Sequence, residues 1–310
     1  MRKIKLNRSN LITRLFQRYL KNRDIKSLRG NFYYYLLFRF CRKFLNNYIE
    51  IKVGNFKIFA SYNKNKTSYF LLKKCQFGDD HELKTLEKFS KLNKIFLLDC
   101  GANYGFYSFY TSSLSIENKV IAFEASINTA KEFQANLELN DFKNIKLENL
   151  AVSSKENELL SFNESIRDWE SSLIDNSFSN SNPKKIKTTK IDYILKNQNL
   201  NQYYIFIKLD IEGNEFDAIR GSLETIKKYS PLIIIEFSKY NLDNKTDNLD
   251  FLDFFLENFD YSIYSTSNQK VKSNDIIDLL KSLDESHQTI GNYYLIKNNS
   301  KIESIFLNNE

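Results

Sequence analysis

The chain has 310 residues, 42% of them hydrophobic, and a formal net charge of +7. This length and composition predict a soluble globular protein with one ample core and exclude a disordered chain. Three cysteines without a Cys-x-x-Cys pair and two distant histidines argue against a disulfide framework and against a zinc site.

Residues 1–50 are predicted to form a basic aromatic arm. Residues 1–45 contain thirteen Lys or Arg against a single acid, Asp24, and they run into the aromatic segment 31–40. Cationic charge beside aromatic side chains suits an anionic membrane surface, which is one interpretation of the arm. The other is a helical extension that packs its apolar face on the main domain and solvates its charges. The arm contains no recognisable nucleic-acid module, so we expect no nucleic-acid partner.

No run of residues approaches the length of about 18 apolar residues that a membrane span requires. The basic start also lacks the apolar segment and cleavage site of a signal peptide. We therefore expect a cytoplasmic location, with the arm as a candidate for peripheral contact with the inner face of the membrane.

After a lead-in at residues 51–94, apolar runs alternate with helix-like segments over residues 95–300. This alternation predicts a Rossmann-like α/β domain, a mostly parallel sheet with helices on both faces. In the lead-in we expect strands at residues 49–53 and 56–61 and a helix around 81–92. In the main domain we expect strands at 95–100, 119–123, 145–152, 204–210, 232–237, 261–265 and 292–296, helices at 104–113, 128–139 and 215–229, and a hairpin-like insertion at 158–165 and 185–189. Residues 301–310 are assigned to a tail.

The first strand ends in an Asp-x-Gly-x-Asn-x-Gly motif formed by Asp99, Gly101, Asn103 and Gly105. The glycines permit a sharp turn and close approach of a ligand, and Asn103 can adopt a left-handed conformation or cap the next helix. Dinucleotide and phosphate sites require Gly-x-Gly-x-x-Gly or a Gly-Lys-Ser/Thr ending, and neither is present. The carboxylate of Asp99 suits the sulfonium and ammonium groups of S-adenosylmethionine (SAM) and repels a pyrophosphate.

Glu124 closes the second strand, about 20 residues after the glycine loop. Doubly wound folds place an acid at this position to accept hydrogen bonds from ribose hydroxyls. The same carboxylate disfavours a 2′-phosphate, which argues against NADP. The two motifs together therefore favour SAM as the cofactor.

A second group of charged residues surrounds the strand at residues 204–210. Lys208 and Asp210 alternate along this strand and share one face of the sheet. A lysine in a central strand is costly to bury unless it is paired, so we expect Lys208 to lie among carboxylates. Asp210, Glu212 and Glu236 are predicted to form an acceptor site at the carboxyl edge. Glu215 and Asp217 are interpreted as helix-starting residues.

At this point the sequence resembles the FkbM-type methyltransferases, class I SAM-dependent enzymes that mostly O-methylate sugars, polyketides and related molecules. The resemblance spans roughly residues 97–237. It comprises segments 98–108, Glu124, 150–153, 171–173, 188–192, 208–215 and 231–236. Ser126 departs from it, because such proteins commonly have a proline at or near this position.

The resemblance implies a seven-stranded sheet and a role for each matching residue. SAM would be held by Asp99, Gly101, Asn103, Gly105, Glu124 and Ala151. Lys208, Asp210, Glu212 and Glu236 would form the catalytic and acceptor site.

Methyl transfer is an in-line displacement, so positioning is the main task of the protein. Asp210 or Glu236 would take the proton of a hydroxyl acceptor, with Glu212 orienting it. A small molecule or a glycan is the expected acceptor. A divalent cation on Asp210, Glu212 and Glu236 is the less favoured alternative, because Lys208 competes for the same negative charge. The alternative function is a catalytically inactive binding protein at the membrane surface.

Overall fold

The computed structural model describes residues 11–21, 23–44, 48–60, 71–75, 80–162, 184–241, 246–283 and 289–308. The basic residues Arg2, Lys3, Lys5 and Arg8 and the 171–173 segment of the family resemblance lie outside these ranges. Within them, no helix is long and apolar enough to cross a membrane.

The centre of the fold is an eight-stranded sheet with the strand order β12-β11-β13-β10-β9-β3-β4-β5. The five strands from β10 to β5 are parallel, whereas β13 lies antiparallel to both β10 and β11. The strands of this sheet are β3 (Ile95–Cys100), β4 (Lys119–Phe123), β5 (Ile145–Glu148), β9 (Tyr204–Leu209), β10 (Leu232–Ser238), β11 (Tyr261–Tyr264), β12 (Lys270–Val271) and β13 (Thr289–Lys297). The prediction of a mostly parallel α/β sheet is thus confirmed, with an eighth, two-residue strand at one edge.

Two smaller sheets lie outside this central sheet. The lead-in hairpin is formed by β1 (Ile49–Val53) and β2 (Phe56–Ala60). The insertion is a three-stranded sheet formed by β6 (Ala151–Val152), β7 (Leu159–Phe162) and β8 (Lys184–Thr189), in which β7 and β8 pair antiparallel. The predicted strand 145–152 is therefore two strands, because the chain leaves the central sheet after Glu148.

Helices cover both faces of the sheet. They are α1 (Leu11–Leu20), α2 (Phe32–Cys41), α3 (Asp80–Leu92), α4 (Phe106–Leu114), α5 (Ile127–Leu139), α6 (Ile191–Leu195), α7 (Glu215–Arg220), α8 (Leu223–Tyr229), α9 (Thr246–Phe259), α10 (Ser273–Ser282) and α11 (Lys301–Leu307). Within residues 301–310, which were assigned to a tail, the structure has the helix α11. This helix packs on the sheet because Ile302 and Phe306 are buried, the latter against Tyr294.

The predicted helix 215–229 is interrupted at Gly221 and Ser222. A Cβ on Gly221 would lie 2.1 Å from the carbonyl oxygen of Ser153, so the insertion sheet and this turn approach more closely than a side chain allows. The chain forms two short helices, α7 and α8, instead of one, with Gly221 in the turn between them.

Alternate residues of the central strands fill two separate cores. Leu97, Phe206 and Ile234 belong to the core that includes the arm and the lead-in hairpin. Leu98 and Ile207 belong to the core on the opposite face, under α7, α9 and α10. Side chains two positions apart along one strand lie on the same face of the sheet. The charged residues that follow Leu97, Phe206 and Ile234 by two positions therefore lie on the face of the sheet that the arm covers.

The arm is packed against the lead-in hairpin. Phe16 and Leu20 of α1 and Phe38 of α2 are buried in the first core. Gln17 also exchanges two hydrogen bonds with the backbone of Glu50, at 2.8 and 2.9 Å. In the part of the arm that the structure describes, the inner side of the helices therefore packs on the main domain, as the helical-extension interpretation expects.

Candidate active site

The glycine loop turns from β3 towards α4 with its backbone in the left-handed region. Gly101 has φ +78° and Gly105 has φ +87°. The backbone N–H groups of Gly101 and Ala102 both donate to the carbonyl oxygen of Phe123, at 3.0 and 2.9 Å, which ties the loop to the end of β4. Asn103 has φ +51°, so it adopts the left-handed option, and Gly105 rather than Asn103 caps α4.

The two glycines lie where other parts of the protein leave no room for a side chain. A Cβ on Gly101 would lie 1.8 Å from the carbonyl oxygen of Asp210. A Cβ on Gly105 would lie within 2.7 Å of the rings of Phe109 and Phe133. The sharp turn predicted for these glycines is present, and the structure adds a packing role: Gly101 lets the backbone of Asp210 come close to the glycine loop, and Gly105 lets α4 and α5 pack closely.

Glu124 is buried and ties the end of β4 to the glycine loop. Its two carboxylate oxygens accept hydrogen bonds from the backbone N–H of Asn103, at 2.9 Å, and of Ser126, at 2.8 Å. Burial raises the pKa of Glu124 to about 7, although both hydrogen bonds oppose the shift. Each carboxylate oxygen has a second lone pair for a further donor.

Asp99 is almost completely buried, with 1% of its surface exposed. Its Oδ2 accepts a 2.6 Å hydrogen bond from the hydroxyl of Ser108 on α4. Its Oδ1 has no hydrogen-bond partner among the described residues. Burial raises the pKa of Asp99, and the positive charge of Lys208 opposes that shift. Sequence reasoning missed Ser108, although its position nine residues after Asp99 places it on the helix that follows the loop.

Lys208 lies between the two motifs. It is the register partner of Asp99 across β3 and β9. Its Nζ is 2.8 Å from Oδ2 of Asp210 and 4.7 Å from the ring centre of Tyr107. Only 3% of Lys208 is exposed, whereas Asp210 is half-exposed. The lysine thus has the carboxylate surroundings that burial of a cation requires.

Asp210, Glu212 and Glu236 meet at the carboxyl edge of the sheet. One carboxylate oxygen of each lies within 4.8 Å of those of the other two. Burial, followed by the negative charges of Asp210 and Glu215, raises the pKa of Glu236 to about 8. Three oxygen ligands in this arrangement could hold Mg²⁺ or Ca²⁺. Lys208 already balances part of the charge, so a metal stays the less favoured alternative.

The loop that carries Asp210 and Glu212 is organised by Glu215, the first residue of α7. Glu215 is 1% exposed, and its carboxylate accepts hydrogen bonds from the backbone N–H of Ile211 and Gly213 and from the side chain of Asn241. Glu212 has φ +54°, an uncommon conformation for a residue with a side chain. Glu215 therefore starts a helix as predicted. It also holds the loop at residues 210–214 in shape, a role that was not predicted from the sequence, and neither was the contribution of Asn241.

Two further predicted positions lie beside the site. Ser126 starts α5, and its hydroxyl accepts a 3.2 Å hydrogen bond from the backbone of Thr129. A serine cap thus forms at the position where the family commonly has a proline.

Ala151 is buried in β6, where it pairs with Thr188 outside the central sheet. Its role in cofactor binding stays a prediction.

The sequence matches the model of the methyltransferase FkbM domain over residues 99–263. The chain belongs to the FkbM methyltransferase family. The matched region begins at Asp99, so it contains both motifs of the site. Comparison of this FkbM chain with curated proteins gave no match.

Solved structures of methyltransferases resemble the chain at low identity. One is a methyltransferase FkbM from Methylobacillus flagellatus, with 21% identity and a TM-score of 0.40 over 74% of this chain and 52% of that chain. The chain thus spans about half the length of that protein. A second is an O-methyltransferase from Bacillus cereus in complex with SAH, with 13% identity and a TM-score of 0.39 over 71% of this chain and 81% of that chain. A third is TYW2 from P. horikoshii in complex with MeSAdo, with 14% identity and a TM-score of 0.40 over 81% of this chain and 72% of that chain.

Proposed function

We propose that the chain is a SAM-dependent methyltransferase that transfers a methyl group to a hydroxyl of a small-molecule acceptor, such as a sugar or a glycolipid. The observation that carries the proposal is the contact between the two motifs. The carbonyl oxygen of Asp210 lies 1.8 Å from the position that a Cβ of residue 101 would take, and Asp99 is paired in register with Lys208. A cofactor on the glycine loop would therefore adjoin an acceptor among the carboxylates.

The residues of the glycine loop fit a cationic cofactor. Oδ1 of Asp99 and Oδ1 of Asn103 are buried side-chain oxygens without a hydrogen-bond partner among the described residues. Buried acceptors without partners are costly, and donors of a ligand would satisfy them. Burial raises the pKa of both Asp99 and Glu124, so a positive ligand would offset the cost of holding their charges. When bound, SAM supplies a methyl group that its sulfonium activates.

The acceptor side would position a hydroxyl and remove its proton. Asp210 and Glu236 are the candidates for the base, and Glu212 is the candidate for orienting the acceptor. Because Glu236 holds a proton below a pH of about 8, a reaction that used it as the base would accelerate as the pH rises through about 8. The pH profile of the transfer rate therefore tests whether Glu236 is the base.

Part of the proposal is that residues 1–45 bring the chain to an anionic membrane surface, where a glycolipid acceptor would be found. The cationic charge of this segment supports it, since each basic residue near such a surface contributes about 1 kcal/mol.

The first test is isothermal titration of SAM and S-adenosylhomocysteine into the purified protein. We expect binding by the wild type and affinity at least about tenfold lower in Asp99→Asn and Glu124→Gln, since a hydrogen bond to a charged group contributes about 1.5–3 kcal/mol. Glu257→Gln, which changes an exposed glutamate on α9, is the matched control and should bind normally.

The second test follows radioactive methyl transfer from SAM to a panel of sugars and glycolipids. Asp210→Asn should bind SAM but transfer methyl at least about a hundredfold more slowly, within the range expected for loss of acid–base catalysis. Absence of SAM binding by the wild type would contradict the proposal and favour an inactive binding protein with a methyltransferase fold. SAM binding with transfer only to amines would contradict the O-methylation part.

A further inference from the structure

Helix α2 has apolar side chains on two different sides. Tyr34, Phe38 and Cys41 are buried and recur at helical spacing along the inner side. Tyr33, Leu36 and Phe40 are spaced three and four residues apart and are exposed to solvent. A surface helix of a globular protein normally has polar residues on the side away from the core. The outer side of α2 is therefore unusual.

The inner side is held firmly enough to fix which side faces outward. The ring of Phe16 on α1 lies 6.2 Å from that of Tyr34 and 6.3 Å from that of Phe38. The side chain of Asn31 caps α2 by accepting a 3.0 Å hydrogen bond from the backbone of Tyr34. Rotation of α2 to bury Tyr33 and Phe40 would expose Tyr34 and Phe38, so the outer side cannot be buried by turning the helix.

The outer side combines large apolar area with positive charge. The exposed fractions are 66% for Phe32, 81% for Tyr33 and 65% for Phe40. Arg39 and Lys43 are exposed along the same stretch of the chain. Single exposed apolar residues are normal, but several on one side of one helix mark an interaction surface.

We propose that the outer side of α2, defined by Phe32, Tyr33, Leu36 and Phe40 with Arg39 and Lys43, docks on a bilayer that contains anionic lipids. The helix would lie in the plane of the interface, with its aromatic rings at the boundary of headgroups and acyl chains and its basic groups among the phosphates. Charge complementarity selects this partner, because residues 1–45 contain thirteen basic residues against one acid. A second copy of the chain would bring the same basic residues together, which is unfavourable.

This inference names the surface for the membrane contact of the proposed function and does not depend on methyl transfer. It is tested by flotation of the full chain with vesicles of phosphatidylcholine alone and of phosphatidylcholine with phosphatidylglycerol. We expect binding to the anionic vesicles, and at least about a tenfold weaker partition for the triple variant Tyr33→Ser/Leu36→Ser/Phe40→Ser. The affinity of the variant Arg39→Gln/Lys43→Gln for anionic vesicles should be about five-fold lower for each charge removed.

The control variant Leu92→Ser/Ile116→Ser/Leu159→Ser removes three exposed apolar side chains elsewhere on the surface and should bind vesicles like the wild type. Unchanged circular dichroism and SAM affinity in every variant would show that the fold and the cofactor site are intact. Equal vesicle binding by the wild type and the α2 variants would overturn the proposal. The proposal would also be overturned if the wild type did not bind anionic vesicles. The same holds if it formed a dimer that the triple variant abolishes, or if it bound RNA, instead of binding vesicles. None of these failures would affect the SAM titration, so the two proposals can fail separately.

Discussion

Replacement of Gly101 by alanine tests whether the contact between the glycine loop and the loop at residues 210–214 determines the fold of the site. The added Cβ would lie 1.8 Å from the backbone oxygen of Asp210 and 3.1 Å from Cγ2 of Ile211. A backbone atom cannot move aside as the end of a flexible side chain can. The variant must therefore displace the end of β9 or the glycine loop, both of which carry site residues.

The magnitude follows from two contributions. A residue with a side chain in the left-handed region costs about 1–2 kcal/mol. Overpacking against a fixed neighbour costs about a further 1–3 kcal/mol. We therefore expect Gly101→Ala to lower the free energy of unfolding by about 2–5 kcal/mol. The SAM affinity should fall at the same time, because the predicted ligands Asp99 and Asn103 flank the displaced residue.

Gly30 provides a matched control for this experiment. Its φ of +75° is almost the same as the +78° of Gly101, but a Cβ there would meet nothing within 4 Å. Gly30→Ala should therefore show only the conformational cost, about 1–2 kcal/mol, without loss of SAM affinity. The assay is urea unfolding followed by circular dichroism, with SAM titration of the folded variants. Equal destabilisation by the two substitutions would refute the steric argument.

Two further predictions concern the buried acids. The pKa of Glu236 rises from an ordinary value of 4.5 to about 8, so the folded protein binds the extra proton and stability should fall as pH rises from 4.5 to 8, by at most about 5 kcal/mol. Glu236→Gln should flatten this dependence in urea unfolding at several pH values, and a slope like that of the wild type would contradict the assignment. Glu215→Gln places an amide donor against the donors of Gly213 and Asn241 and should cost about 1–3 kcal/mol in the same assay. Unchanged stability would mean that the fold of the loop at residues 210–214 does not depend on this carboxylate.

The elements that depend on local pattern were predictable. The strands β3, β4, β9 and β10 are short apolar runs, and they lie within one residue of the predicted ranges. Such runs are typical of parallel strands that are buried on both faces. The two site motifs were found for a related reason, because charged residues directly after apolar strands stand out in the sequence.

The elements that depend on distant contacts were not predictable. At the break between α7 and α8, Gly221 approaches the carbonyl of Ser153, almost 70 residues earlier. The close contact of Gly101 with the backbone of Asp210 was not foreseen, because the two residues are 109 positions apart in the chain. Neither neighbour is visible in a local sequence pattern.

The sequence by itself determined the fold class and the identity of the acids at the sheet edge, because apolar periodicity and the glycine motif are local properties of the chain. The position of Lys208 beside Asp99 and Asp210 was expected from the sequence. Tertiary structure alone decided that the carboxylate of Glu215 accepts the backbone hydrogen bonds that hold the loop at residues 211–213. It also turned one side of α2 inward and left the aromatic side exposed. Each of these outcomes depends on contacts between residues that are far apart along the chain. A local sequence pattern does not show such contacts.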